Sequence, residues 1–199
     1  MKYLPIFFLL FILFVQCSQP KKKLTDVVKI HSLANDGTIS QTDTLYWQTT
    51  HHDGYISTKY GQNPDPNLDL DTVLIFYDFR QMVGNDSSIE MFSESCRKLG
   101  SATYPNLTGQ DSTAVTLFLY DDPARIDEEM IFFFDEDLRL LMTYDLNWRY
   151  VYELYEYDST SFLLYRQILE DSLHRPHLSE WKWKGLKETL SDLDLEQTP

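Results

Sequence analysis

The stretch 130–157 reads MIFFFDEDLRLLMTYDLNWRYVYELYEY, and it decides the fold class. It holds three dense apolar or aromatic runs, which the short acidic segments 135–137 and 145–147 separate. Runs of this length between turns rich in Asp and Asn are typical of β-strands joined by tight connections. The stretch therefore predicts consecutive antiparallel strands, each paired with the one before it.

The same pattern extends outward from this stretch in both directions. The segments Asn35-Asp36-Gly37 and Asp53-Gly54 are strong hairpin signals, because these residues tolerate the positive φ of tight turns. We expect a mainly β fold, α+β at the margin, built as an antiparallel meander sheet of hairpins. The predicted strands are Val27–Leu33, Thr38–Thr50, Tyr55–Tyr60, Thr72–Phe79, Ala114–Tyr120, Met130–Phe134, Leu138–Tyr144, Trp148–Tyr157 and Phe162–Leu169.

Two helices are predicted beside this sheet. Ser87 followed by Glu90 resembles a capping box, and Gly100 suits the end of a helix, so a helix is expected over 87–99. A short C-terminal helix is expected over Leu186–Leu193, where every third or fourth residue is Leu. The apolar face of the first helix would consist of Ile89, Phe92, Cys96 and Leu99.

Composition narrows the class of protein. The chain has 199 residues, of which 43% are hydrophobic and 24% charged, so one globular domain is expected. The formal net charge of −14 argues against a nucleic-acid partner, which needs clustered Lys and Arg. The two cysteines are too few for a disulfide-stapled scaffold.

The N-terminus carries the clearest functional signal. Lys2 precedes an apolar run from Leu4 to Val15, which is shorter than the roughly 20 residues of a membrane-spanning helix. The run ends just before Cys17, and here the chain resembles a bacterial lipoprotein signal peptide. The resemblance implies that the Cys17 thiol is lipidated and that cleavage removes residues 1–16.

The signal departs from the usual lipobox at two positions. Phe14 and Gln16 stand where that motif has Leu and a small residue, and the looser form is similar to lipoprotein signals of the Bacteroidota. Two alternatives remain open at this point. One is an ordinary signal peptide that is cut elsewhere, and the other is a retained anchor helix.

The expected organisation has three parts. Residues 1–16 are the signal peptide, 17–23 a lipidated polar tether, and 24–199 a single β-rich periplasmic domain. Three lysines at 21–23 would be attracted to an anionic leaflet. Surface-displayed lipoproteins of the Bacteroidota tend to carry an acidic stretch after the Cys, so the resemblance implies that this basic tether holds a domain that faces the periplasm. Ser18 at the second position favours the outer membrane by the sorting rule of other Gram-negative bacteria. We therefore expect a lipid-anchored protein of the cell envelope.

No residue pattern predicts a catalytic, metal or cofactor site. Cys96 has no His near it in sequence and is interpreted as a core residue. The histidines at 51, 52, 174 and 177 match no standard zinc spacing, so surface positions are expected. The stretch Asp65–Asp71 begins like a calcium loop, but Leu70 stands where that loop needs glycine. The acidic clusters are interpreted as solvated turns.

The last strand of the stretch has large side chains on both faces. Strand alternation places Tyr155 and Tyr157 on one face together with Glu153. Either both faces of a central strand are covered, or the Tyr155–Tyr157 face is an open aromatic platform that binds a protein or glycan partner. Tyr155 and Tyr157 are therefore the candidate binding residues.

The expected function is that of a membrane-anchored envelope lipoprotein with a non-catalytic binding or scaffolding β-domain. One alternative is a hydrolase that acts on envelope material and has scattered catalytic residues. The other is an acidic inhibitor or immunity-type protein that masks a basic partner, which the charge favours.

Overall fold

Ten strands in the described part of the chain close into an antiparallel barrel. The computed structural model describes residues 25–62, 74–105, 111–121, 129–158, 161–171 and 184–191. The strands are β1 Thr25–Leu33, β2 Ile39–His52, β3 Tyr55–Gly61, β4 Ile75–Met82, β5 Ser88–Met91, β6 Glu94–Pro105, β7 Ser112–Asp121, β8 Glu129–Phe134, β9 Leu140–Asp145 and β10 Tyr150–Glu156.

Each strand pairs with the next strand along the chain, and the first strand pairs with the last. Ile30 of β1 lies opposite Asp43 of β2 on one side and opposite Tyr155 of β10 on the other. Each described strand therefore has a neighbour on both sides, although β5 pairs with β4 only at Phe79–Met91 and Arg80–Glu90. The predicted antiparallel meander is confirmed, and its curvature into a barrel is new.

The barrel interior is packed with aromatic rings. Phe79 is fully buried and meets the rings of Phe132 and Phe134 edge to face at 5.2 and 4.8 Å. Edge-to-face contacts suit the quadrupoles of the rings and stabilise the pair beyond their buried area. All ten strands contribute to this interior core, whose members are Val28, Ile30, Leu45, Tyr60, Phe79, Ile89, Met91, Cys96, Phe118, Phe132, Phe134, Leu138, Leu140 and Tyr155.

Two helices cover part of the outer barrel wall. Helix α1, Ser161–Glu170, and helix α2, residues 184–191, pack on the outward face of strands β6 to β10 and form a second core. Gly185 makes the approach of α2 to the first hairpin possible, because a Cβ there would overlap the carbonyl oxygen of Asp36. Neither helix of the described chain is long and apolar enough to span a membrane.

The predicted strand Phe162–Leu169 is wrong, because these residues form α1. The fully buried side chains of the segment follow a helical spacing of three and four residues, not an alternation. The C-terminal helix is confirmed over residues 184–191, where Leu186 and Leu190 are buried. Leu193 lies outside the described residues.

The predicted helix over 87–99 is also wrong, because this segment forms the β5–β6 hairpin. Ile89 and Met91 point inward while Glu90 between them is exposed, which is strand alternation. The chain reverses at Phe92 and Ser93, whose φ angles are 49° and 77°. Both residues therefore adopt the left-handed conformation of a tight hairpin turn. Phe92, expected in the core, is 53% exposed.

Replacement of Ser93 by Gly distinguishes the hairpin from a helix, because the two structures predict opposite changes in the free energy of unfolding. At a φ of 77° a side chain is strained, and Gly relieves a cost of about 1 kcal/mol. We expect Ser93→Gly to raise the free energy of unfolding, as measured in urea. In a helix the same change would lower it by about 1 kcal/mol. Ser95→Gly, within β6, is the matched control and should destabilise the protein.

Candidate functional site

A cavity of about 310 Å³ lies at one end of the barrel. This is the end where β1 and β3 finish and where β2, β4 and β10 begin. We call it the mouth cavity. Among the described residues, its lining consists of Ile30, Ser32, Asp43, Leu45, Gln62, Phe76, Tyr77, Tyr152 and Glu153.

Strand register explains why polar groups face this cavity. Ser32 lies opposite Glu153, and Ile30 lies opposite Asp43, so these four side chains share the inward face of three neighbouring strands. Tyr77 forms the inner wall, where its ring stacks on that of Phe79 at 5.6 Å. The aromatic interior core therefore begins directly behind the cavity.

Glu153 is the central polar group of the mouth cavity. Its Oε2 atom accepts hydrogen bonds from the hydroxyls of Tyr155 at 2.7 Å and Tyr77 at 3.0 Å. Burial raises the pKa of the Glu153 carboxyl above its ordinary value, although interactions with the hydroxyls of Tyr155, Tyr77 and Thr143 favour the charged form. Burial also raises the pKa of each tyrosine, which keeps both hydroxyls protonated as donors.

The rim of the mouth cavity combines exposed rings with a second carboxylate. Phe76 and Tyr152 are 39% and 40% exposed, and both line the cavity. The ring of Tyr150 meets that of Tyr152 edge to face at 5.9 Å, which helps to hold Tyr152 in place. Asp43 is exposed, and its Oδ2 accepts a hydrogen bond from Gln41 at 2.7 Å.

The raised pKa of Glu153 predicts a pH-dependent difference between the protein and its Glu153→Gln variant. A raised folded-state pKa stabilises the fold below the unfolded pKa, near 4.5, and this contribution is lost as pH rises through the folded pKa. The amide of Gln still accepts hydrogen bonds from both tyrosines but never ionises. The melting temperature of Glu153→Gln should therefore rise relative to wild type between pH 4 and pH 8.

The exposed carboxylate of Glu90 provides the control for this measurement. Glu90→Gln removes a charge of the same kind from a solvated strand position, so its effect should vary much less with pH. If the difference in melting temperature between Glu153→Gln and the wild type stays constant from pH 4 to pH 8, the claim that burial raises the pKa of Glu153 is wrong.

The expected open platform at Tyr155 and Tyr157 is wrong, and the covered strand is confirmed. Tyr155 is 0% exposed inside the barrel. The Tyr157 hydroxyl donates to the carbonyl oxygen of Leu140 at 2.9 Å and lies 2.8 Å from the Tyr60 hydroxyl. An irregularity in the pairing of β10 with β9 interrupts the alternation that was expected along this strand. Tyr155 contributes to the candidate site through Glu153 instead.

The remaining sequence-predicted residues lie elsewhere. Cys96 is buried in the interior core as predicted, and burial raises the pKa of its thiol to about 12. His51 and His52 are exposed at the end of β2. Cys17, the stretch Asp65–Asp71 and the histidines at 174 and 177 lie outside the described residues. Within the described ranges, no three His, Cys, Asp or Glu side chains are placed to hold a metal ion.

Sequence reasoning missed Glu153 and Tyr77 as a pair. One signal was present, since Glu153 is a charged residue between the apolar and aromatic residues 150–152 and 154–155 of its strand. Tyr77 lies 76 residues away, and only the closed barrel brings its hydroxyl to the carboxylate.

Comparison with known proteins adds no information on function, so the functional argument depends on this geometry. No protein-family model matches the chain, and no curated protein or solved structure matches it either.

Proposed function

We propose that the protein is a membrane-anchored envelope lipoprotein whose barrel domain binds a small molecule in the mouth cavity. The N-terminal resemblance to a lipoprotein signal peptide supports the anchor at Cys17. The single observation that carries the binding role is Glu153, a carboxylate held by two tyrosine hydroxyls inside a cavity of about 310 Å³.

The carboxylate is informative because it is costly for the fold. Removing a charged group from water is unfavourable, and an apolar side chain would fill a barrel interior at lower cost. Groups whose pKa is shifted by burial and that face a cavity are concentrated at functional sites. The volume is also within the range of small-molecule pockets, which begin near 300 Å³.

The arrangement favours binding, and it also defines the test for a hydrolase. Glu153, whose pKa is raised, and Asp43 face the same cavity, and glycoside hydrolysis uses a pair of carboxylates in which one has a raised pKa. Binding without turnover supports the proposal. Release of a cleaved product by the wild type, but not by Glu153→Gln, would favour the hydrolase instead.

The anchor is tested by Cys17→Ser. Two or more acyl chains give stable membrane attachment, so the wild-type protein should sediment with membranes and incorporate labelled palmitate. Cys17→Ser should lose the label and leave the membrane fraction. Membrane attachment that survives the substitution would contradict the lipid anchor, and Cys96→Ser is the control that should keep the label.

The binding role is tested by filling the mouth cavity. The full chain, reconstituted in phosphatidylcholine nanodiscs, is screened by ligand-detected NMR against small aromatic solutes of positive, neutral and negative charge. We expect at least one class to bind the wild type and not Ser32→Phe, whose ring occupies the cavity. Ser95→Phe, on an exposed position of β6, is the matched control and should bind like wild type. Binding that survives Ser32→Phe, or no binding at all, would overturn the proposal.

A further inference from the structure

We infer that the ligand of the mouth cavity is an organic cation, an amine whose ammonium group contacts Glu153 and whose apolar part packs against the cavity rings. This inference rests on the proposed binding role and adds the chemical class of the ligand.

The charges around the cavity determine the sign of the ligand. Two of the nine described lining residues, Glu153 and Asp43, carry carboxylates, and none of the nine is Lys, Arg or His. An anionic ligand would bring like charges together at close range in a partly desolvated site, which is unfavourable. An ammonium group is attracted by both carboxylates.

Glu153 retains the capacity to accept a ligand hydrogen bond. Both tyrosine hydroxyls donate to Oε2, and a carboxylate can accept about four hydrogen bonds in total. The two tyrosines thus fix the carboxylate in one orientation, and the Thr143 hydroxyl is a third side-chain group that interacts with it. At least one of the four acceptor positions remains for a ligand, and neither tyrosine contacts Oε1. An ammonium donor at that oxygen would form a charge-assisted hydrogen bond, which is stronger than one between neutral groups.

The rings around the cavity fit the same ligand class. The negative face of an aromatic ring attracts a cation within about 6 Å of its centroid, and Phe76, Tyr77 and Tyr152 all line the cavity. Stacking on Phe79, with 13° between the two planes, holds the Tyr77 ring in a fixed orientation.

Size and apolar contacts define the rest of the molecule. Ile30 and Leu45 contribute aliphatic surface, which suits an apolar body attached to the amine. A cavity of 310 Å³ has the volume of roughly ten water molecules in the liquid, so it suits a ligand with roughly ten non-hydrogen atoms. A single aromatic ring on a two-carbon amine has this size.

Three solutes that share a ring and differ in their head group test the inference. The probes are 2-phenylethylamine, 2-phenylethanol and phenylacetate, titrated calorimetrically into the full chain in phosphatidylcholine nanodiscs, with empty nanodiscs as the blank. We expect the amine to bind at least about tenfold more tightly than the alcohol, and phenylacetate to bind more weakly still. Glu153→Gln should reduce the affinity for the amine about tenfold and leave that for the alcohol nearly unchanged.

The outcomes separate this inference from the proposed function. Glu90→Gln, an exposed carboxylate on β5, is the control and should leave all three affinities unchanged. If the alcohol or phenylacetate binds as tightly as the amine and Ser32→Phe abolishes that binding, the cavity is a binding site and the cationic ligand class is wrong. If amine binding survives Ser32→Phe, both proposals fail. If the amine does not bind, the inference is overturned, and the wider solute screen decides the binding role.

Discussion

Phe79→Ala should lower the free energy of unfolding by about 3 to 5 kcal/mol, the range for removing a buried Phe from a close-packed core. Phe79 is 0% exposed and contacts the rings of Tyr60, Tyr77, Phe132 and Phe134. These residues belong to three different strands, so the cavity that the substitution leaves cannot collapse by a shift of one strand. Urea unfolding, followed by tryptophan fluorescence, measures the loss.

The matched control lies on the same strand. Phe76 is at the rim of the mouth cavity and 39% exposed, so Phe76→Ala removes fewer buried contacts and should cost clearly less than Phe79→Ala. Equal losses for the two variants would contradict the assignment of Phe79 to the barrel interior and Phe76 to the rim.

Tyr60→Phe should cost about 1 to 3 kcal/mol, because it removes one hydroxyl and leaves buried partners without a hydrogen bond. The Tyr60 oxygen accepts the backbone N–H of Leu140 at 2.7 Å and lies 2.8 Å from the hydroxyl of Tyr157. The pairing of β8 with β9 is irregular beside Leu140, and a side chain from β3 satisfies this N–H. The loss is therefore out of proportion to the single atom removed.

Tyr152→Phe provides the control for the hydroxyl effect. Tyr152 is exposed at the mouth, so its hydroxyl can bond to water, and the substitution should change stability by less than about 0.5 kcal/mol. A Tyr60→Phe variant as stable as the wild type would show that the Leu140 N–H finds another partner. Both variants are measured by urea unfolding at neutral pH.

Local sequence signals predict the antiparallel meander but not its closure into a barrel. Turns such as 35–37 and 53–54 join strands that are neighbours in sequence, so alternation and turn residues are sufficient to predict those pairs. The pairing of β1 with β10 joins residues more than 120 positions apart, such as Lys29 and Glu156. No local pattern encodes that contact, because it depends on the accumulated twist and coiling of the whole sheet.

The two errors of element type have a common physical origin. Ile89 and Cys96 are seven residues apart, which suits one face of a helix, yet in the hairpin they lie directly opposite each other. The segment from Phe162 to Leu169 shows the opposite error, a predicted strand that forms a helix. Its residue types are common in strands, but its apolar residues have the spacing of a helix. Tertiary packing decided both cases, within the barrel wall for the hairpin and against its outer face for the helix, and such packing routinely overrides local preference.

The candidate site was the least predictable part of the molecule. Alternation placed Glu153 and Tyr155 on one face of a strand, and that part of the prediction is correct, since the Tyr155 hydroxyl donates to Glu153 inside the barrel. The sequence could not indicate that this face lines a closed interior, nor that Ser32 and Tyr77 come from distant strands to share it. Only closure of the sheet brings these residues together, so no single segment of the sequence could predict the site.

The seam between β1 and β10 has a consequence for the order of folding. Closing a loop of more than 120 residues costs roughly 2 kcal/mol more in chain entropy than closing one of about ten, so the hairpins form before the seam. Ser32 and Ile30 lie on one side of that seam, and Tyr152 and Glu153 on the other. A molecule bound between them would associate only with the closed barrel. At a hundred times its dissociation constant, it would stabilise closure by about 2.7 kcal/mol, so ligand supply would govern how much of the protein is assembled as well as how much is occupied.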